Sequence, residues 1–311
     1  MKKRDFLSVT DFTVDEIWKL FEVTHRLKKQ ARKGVFKKYL KNKIIGMIFS
    51  KTSTRTRVSF EVGIRQLGGS AIYLNKNDIQ LNKGETIYDT AKVLSRYVNG
   101  IVIRTYKHEE VVELARAADV PVINGLTDLL HPCQALGDFF TIFEEKPQFV
   151  HNPSNLKITF IGDGNNVASS LLLLSSMFGN QICIATPKGY EIPREIREIA
   201  EENARKSGAK IILGNDPREL AKDADVLYTD VWVSMGQEAE SEERIKVFKD
   251  YRIDTNIIKV AKTDVIVLHC LPANRGMEIT DEVMDGPHSR VFDEAENRLH
   301  IQKAIMLKLL S

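Results

Sequence analysis

The run Ser50-Lys51-Thr52-Ser53-Thr54-Arg55-Thr56-Arg57 follows an apolar stretch, Ile44 to Phe49, and opens a helical pattern. Hydroxyls and guanidinium groups at such a junction suit the holding of an anion. A helix start presents unpaired backbone N–H groups and a partial positive charge. Ser53, Thr54 and Thr56 add hydroxyl donors, and Arg55 adds a planar fork that fits two phosphate oxygens. One serine or threonine here would be a plain cap. A hydroxyl-rich run with two arginines exceeds capping, and a phosphate cradle is the expected use.

Other candidates follow other apolar runs. Arg104 ends Ile101 to Ile103 and reads equally as a cleft residue or a solvated strand-end arginine. His131 and Gln134 stand three apart across a helix start, so both can face one ligand. Histidine can donate to a carbonyl oxygen, and glutamine can bind an amide. Gly162-Asp163-Gly164-Asn165-Asn166-Val167 is close to a dinucleotide fingerprint, but Val167 stands where the third glycine belongs. No acidic residue closes the next strand, so amide side chains offered to a polar substrate are the alternative. Asp230, in Asp230-Val231-Trp232-Val233-Ser234-Met235-Gly236, can hold an ammonium group or simply form a turn, and Met235 can be core packing. Cys270, in His269-Cys270-Leu271-Pro272, is either a buried inert thiol or a ligand contact. His269 and Cys270 point to opposite faces of a strand, which argues against a Cys–His dyad. Arg298 is a surface helix residue unless its helix packs back over the cleft.

These loops need strands and helices to hold them. Short branched apolar runs mark strands at Ile44 to Phe49, Ala71 to Leu74, Ile101 to Arg104 and Val120 to Asn124. Helical periods follow at Arg55 to Leu67, Ile87 to Tyr97, Glu109 to Ala118 and Cys133 to Glu145. Thr13-Val14-Asp15-Glu16 is a capping box for an earlier helix. Lys146 to Asn155, with Pro147 and Pro153, reads as a loop or boundary. Alternation then resumes with strands at Leu156 to Ile161, Gln181 to Ala185, Lys210 to Leu213, Val226 to Tyr228 and Val265 to His269. A helix over Glu294 to Leu310 closes the chain. The pattern predicts two similar α/β domains, each a parallel sheet flanked by helices, with ligands beyond the carboxyl ends of the strands.

Composition narrows the classes. The chain has 311 residues, 43% hydrophobic and 28% charged, with a net charge of +3. Disorder, collagen and coiled coil are excluded as whole-chain readings, and so mild a charge does not suggest nucleic acid. No run reaches the ~18 apolar residues of a membrane span, and no secretory h-region follows Met1-Lys2-Lys3-Arg4-Asp5. Cys133, Cys183 and Cys270 form no C-x-x-C pair, so a reducing cytoplasm is expected. There is no Walker loop, no H-E-x-x-H and no metal-ligand spacing, so neither metal nor cofactor is expected.

Taken together, the motifs carry a resemblance. Ser53-Thr54-Arg55-Thr56-Arg57 resembles the carbamoyl-phosphate signature of aspartate and ornithine carbamoyltransferases, and His131-Pro132-Cys133-Gln134 resembles their second motif. Asp230-x-x-x-Ser234-Met235-Gly236 and His269-Cys270-Leu271-Pro272 resemble the ornithine branch, which aspartate-using relatives do not share. The likeness covers nearly the whole chain, in order. It implies transfer of a carbamoyl group from carbamoyl phosphate to the δ-amine of L-ornithine, giving citrulline and phosphate. It implies a carbamoyl-phosphate domain over residues 1–148, an ornithine domain over 149–293, and a last helix, 294–311, packed back on the first.

By the same resemblance, carbamoyl phosphate meets Ser53, Thr54, Arg55, Thr56, Arg104, His131, Gln134, Cys270, Leu271 and Arg298, with Gln80 supplied by a neighbouring subunit. Ornithine meets Asn166, Asp230, Ser234 and Met235, and the catalytic set is Cys270, Arg104, His131 and Asp230. The family builds homotrimers, some assembled further, and serves arginine metabolism in a biosynthetic or a catabolic direction. Rival readings are a carbamoyltransferase for putrescine or an acylated ornithine, a non-catalytic ligand-binding relative, and a dinucleotide-dependent dehydrogenase.

Overall fold

The computed structural model describes residues 3–76, 79, 84–234, 236 and 238–311, so Gln80 and Met235 lie outside the described residues. Among the described residues, the chain alternates strand and helix through two compact units, Met1–Gly137 with Glu296–Ser311, and Asp138–Ala295.

The first unit begins with α1 (Val14–Arg32), opened by the expected capping box: Thr13 Oγ1 accepts from Glu16 N at 3.3 Å, and Glu16 Oε2 accepts from Thr13 N at 3.0 Å. Then come β1 (Ile44–Phe49), α2 (Thr54–Gln66), β2 (Ser70–Asn75), α3 (Ile87–Tyr97), β3 (Gly100–Arg104), α4 (His108–Ala117), β4 (Val122–Leu126) and α5 (Pro132–Glu145). The strands pair in parallel in the order β2-β1-β3-β4. The fourth strand starts at Val122 rather than Val120, because Pro121 has no N–H to give the ladder and its carbonyl accepts from Ile101.

In the second unit follow β5 (Lys157–Ile161), α6 (Asn166–Phe178), β6 (Gln181–Ala185), α7 (Arg194–Ser207), β7 (Lys210–Gly214), α8 (Pro217–Ala221), β8 (Val226–Thr229), α9 (Ser241–Phe248), α10 (Thr255–Ile258), β9 (Ile266–His269) and α11 (Asp281–Met284). Their sheet is parallel in the order β7-β6-β5-β8-β9. The last helix, α12 (Val291–Leu310), starts before the expected Glu294. The division between units falls inside α5 and α12, not in the proline-bearing loop Lys146–Asn155. The later turns of α5 carry Phe139 and Phe143, whose rings pack on Phe178 of α6 at 5.3 and 5.8 Å.

Each sheet is near-continuously apolar along its central strands, as parallel sheets buried on both faces require. In the first unit Ile48, Ile101, Ile103 and Val122 pack with Val111 and Leu114 of α4. Full burial of each such side chain is worth about 1.5–3 kcal/mol. Gly63 lets α12 lie close on α2: a Cβ there would meet Lys303 and Met306 at 3.2 and 3.3 Å. The topology also locates the chemistry. Strand order reverses between β1 and β3 in one sheet and between β5 and β8 in the other, and ligands bind where it reverses. The loops after these four strands begin at Ser50, Thr105, Gly162 and Asp230.

Candidate active site

In the first unit the strand end, two helix starts and the last helix converge on Thr56. Ser53 caps α2, its hydroxyl accepting from Thr56 N at 3.2 Å. The buried Thr56 hydroxyl accepts from Arg104 Nη1 at 3.0 Å and from Arg298 Nη2 at 2.5 Å. Arg298 Nη1 also donates to Gln134 Oε1 at 2.8 Å. Arg298 is therefore no surface residue, being 5% exposed, which corrects the simpler helix-surface reading. Two buried guanidinium groups aimed at one neutral hydroxyl form a cationic point.

His131 stands just before α5, its carbonyl accepting from Gln134 N at 3.1 Å and Ala135 N at 3.2 Å. Burial, helped by Arg298 and Arg104, holds its pKa well below the usual 6.5. The imidazole is neutral at pH 7, so it can donate to a carbonyl oxygen without adding a third cation. Cys133 beside it belongs to the core: burial pushes its thiol up to about 12, and Sγ lies 3.5 Å from Asn124 O.

Within the opening motif, Thr54 is exposed and Arg55 half-buried. Arg57 serves another purpose, lying 3.6 Å over the Tyr73 ring and pairing with Glu61 at 3.0 Å. Lys51 was not singled out from sequence. It is buried, donates to Asp128 and sits 4.2 Å over Tyr106, tying the loop after β1 to the segment before His131.

In the second unit the fixed charge is negative. Asp230 is 6% exposed at the end of β8. Its Oδ1 accepts from Val231 N at 2.8 Å and from the Cys270 thiol at 3.0 Å, and its Oδ2 accepts from Asn165 Nδ2 at 2.7 Å. Burial, then Asp230 itself, pushes the Cys270 thiol well above 9. Cys270 is a protonated donor, not a thiolate nucleophile. Leu271 beside it adopts φ 59°, a left-handed conformation costly for a side chain with a Cβ, and its N–H donates to His269 Nδ1 at 2.9 Å.

That bond fixes the histidine. With Nδ1 accepting, the proton sits on Nε2, which donates to Glu278 Oε1 at 3.1 Å. His269 is thus held by Leu271 N and Glu278 rather than by Cys270. The donor atoms of Asp230, His269 and Cys270 come within 4.8 Å of one another, a cluster that sequence spacing did not show. Both histidine nitrogens are already engaged, so the set does not fit a metal.

Asn166 opens α6 half-buried, and Ser234 is half-buried in the loop after β8. Three supporting residues received no individual role from the sequence. Asn165 is described above. Arg244 of α9 donates to Trp232 O at 2.6 Å and pairs with Asp163 and Glu240. Burial raises the third, Asp163, to about 6 against the pull of Arg244. The only local signal was an acid and an amide in a glycine-rich turn.

Comparison with known proteins supplies the remaining evidence. Residues 4–144 match the profile of the aspartate/ornithine carbamoyltransferase carbamoyl-P binding domain, and residues 154–309 match that family's Asp/Orn binding domain. An ornithine carbamoyltransferase of Caldicellulosiruptor saccharolyticus is 58% identical over 304 residues, 98% of this chain and 97% of that one. The structure of ornithine carbamoyltransferase from Pyrococcus furiosus superposes with a TM-score of 0.94 at 50% identity, over 99% of this chain and 97% of that one. An anabolic ornithine carbamoyltransferase from Campylobacter jejuni gives 0.92 at 46% identity, over 98% of each.

Proposed function

The chain belongs to the aspartate/ornithine carbamoyltransferase family, and from that premise we propose how its residues divide the work. It is an enzyme that transfers the carbamoyl group of carbamoyl phosphate to L-ornithine, giving citrulline and phosphate. The first unit takes carbamoyl phosphate and the second takes ornithine. The observation that carries this division is the opposite sign of the two buried charges. Arg104 and Arg298 meet on Thr56, whereas Asp230 is ringed by neutral donors.

Ser53, Thr54, Arg55, Thr56 and Arg298 hold the phosphate, with Gln80 reaching in from a neighbouring subunit. Arg104, His131 and Gln134 hold the carbamoyl group. Asn166, Ser234 and Met235 hold the amino acid, and Asp230 faces its ammonium group, with Cys270 and Leu271 beside the reacting amine. Ornithine's δ-ammonium has a pKa near ~10.4 by analogy with lysine, so it arrives charged and must lose a proton. Because Cys270 already carries its proton, the carboxylate of Asp230 is the acceptor.

The freed amine attacks the carbamoyl carbon, and negative charge develops on the carbonyl oxygen. Arg104, neutral His131 and Thr56 receive that charge, a contact worth roughly 3–4 kcal/mol for one good donor. The C–O bond to phosphate then breaks, the second proton on the attacking nitrogen passes to the departing phosphate oxygen, and phosphate leaves among the cations that held it. Holding the substrates in line supplies much of the rest.

The anabolic enzymes among its relatives favour the citrulline-forming, arginine-supplying direction. The working form is a homotrimer or an assembly of trimers. Val58, Ile72, Tyr88, Val93 and Tyr97 of α2, β2 and α3 are exposed apolar side chains that self-association would cover. Its unpaired thiols suit the cytoplasm, and among the described residues no helix is long and apolar enough to cross a membrane.

The test is citrulline formation from carbamoyl phosphate and L-ornithine, with putrescine, N-acetylornithine and L-aspartate run beside it. Ornithine-selective turnover is expected. Selective turnover of another amine would leave the phosphate site standing and overturn the second-substrate assignment.

A further inference from the structure

Asn165 is absent from the residues assigned to either substrate, yet its side chain joins two parts of the second unit. Its Oδ1 accepts from Val167 N at 2.9 Å and Ala168 N at 3.1 Å, capping α6. Backbone amides only donate, so the side-chain oxygen must face the helix. The amide NH2 is thereby aimed the opposite way, where it donates to Asp230 Oδ2 at 2.7 Å. The other carboxylate oxygen is held by Val231 N and by the Cys270 thiol. Donors from three segments therefore fix both the plane and the rotation of the Asp230 carboxylate.

The frame behind Asn165 is rigid. From Val167 to Ser176 every residue of α6 is buried. The turn leading into it is pressed against residues 190–192: a Cβ on Gly164 would stand 2.5 Å from Glu191 C and Ile192 N. Serine or aspartate would cap α6 about as well as asparagine does. Neither also offers a donor at the reach of Asp230.

We propose that Asn165 is a positioning residue for the reaction, transferring the fixed orientation of the α6 N-terminus to the carboxylate of Asp230. The inference rests on the reading of Asp230 as the residue that faces ornithine's amine. The charged and titratable groups around that carboxylate are Asp163 with its partner Arg244, Cys270, His269, Tyr228, Glu294 and Asp138. Against that background an added carboxylate should register clearly.

The experiment compares Asn165→Ser and Asn165→Asp with wild type, by steady-state kinetics in both substrates, rate against pH, and melting temperature. Both variants keep a cap, so the KM for carbamoyl phosphate should stay near wild type in both, and the melting temperature in Asn165→Ser; Asn165→Asp, with two carboxylates together, should melt lower near pH 7. Asn165→Ser loses only the donor, and kcat/KM for ornithine should fall about tenfold to a hundredfold, the range for one hydrogen bond to a charged group. Asn165→Asp should lose more, with the acidic limb of its ornithine profile moved to higher pH, because a second carboxylate opposes ionisation of the first.

Ornithine kinetics within twofold of wild type in both variants would overturn the proposal. So would losses that fall equally on both substrates and track a drop in melting temperature, since Asn165 would then be a cap and nothing more. Asp230→Asn is the control. If it retains ornithine turnover, the reading of Asp230 fails and the proposal with it. If it loses turnover while Asn165→Asp is silent, only the positioning role fails.

Discussion

Arg104 and Arg298 of the first unit and Asp230 of the second occupy comparable places, beside the point where strand order reverses. The first pair brings two positive charges onto a neutral hydroxyl. The second site surrounds one negative charge with an amide, a backbone N–H and a thiol. Each fixed charge also sets the proton on its titratable neighbour. Cations near His131, added to burial, keep a proton off it, while the anion at Asp230, added to burial, keeps a proton on Cys270. Both neighbours end as neutral hydrogen-bond donors. The same backbone plan can therefore surround a buried charge of either sign, and a few buried side chains choose between them.

The sharpest way to break this comparison is to remove one charge at a time. Arg104→Met should lower kcat by roughly 10²–10³ and abolish the heat of carbamoyl-phosphate binding in calorimetry. Asp230→Asn should leave that heat in place while ornithine no longer binds the carbamoyl-phosphate complex. If each variant lost both ligands equally, the division of labour would be wrong.

A smaller effect tests the protonated thiol. Cys270→Ser keeps a donor for Asp230 Oδ1 and should cost about tenfold in kcat/KM for ornithine, against a larger loss in Cys270→Ala. Alkylation of Cys270 by iodoacetamide at pH 8 should be slow. Rapid modification would mean a thiolate, and the assignment of Asp230 as proton acceptor would fall.

The smallest expected effect is on stability against pH, where the units carry opposite slopes. In the first unit burial pushes His300 down to about 4, and His131 also lies below its ordinary value. A depressed imidazole gives stability that is complete above about 6.5 and is lost as pH falls toward the folded value. In the second unit Asp163 is raised to about 6. A raised carboxyl gives stability that is present below about 3.9 and is lost as pH rises through 6. Melting curves from pH 4 to 8 should therefore flatten on the acid side in His300→Gln. In Asp163→Asn they should lose the decline between pH 4 and 6. A parallel shift of the whole curve in both variants would contradict these signs.

Much of the architecture was legible because short-range physics writes it. Alternation of apolar runs and helical periods located α3 at Ile87–Tyr97 and β6 at Gln181–Ala185 to the residue. The missing N–H of Pro121 moved only the start of β4. Hydroxyls and arginines at one helix start pointed to an anion site, since capping and the helix dipole act within a single turn.

What sequence could not decide is which distant side chains meet. Arg298 and Thr56 lie 242 positions apart, and periodicity alone leaves Arg298 a surface residue unless α12 packs back, as it does. Asn165 and Asn166 are adjacent amides. Only the placement of β8 beside β5 brings the first of them to Asp230. The protonation of His131 and Cys270 likewise follows from burial and from charges contributed by other segments of the chain. Residue types and periods determined the strands, the helices and the kinds of chemistry on offer. The sheet crossovers decided which charges would share a dry interior, because Coulomb energies and desolvation depend on distance in space and not along the chain.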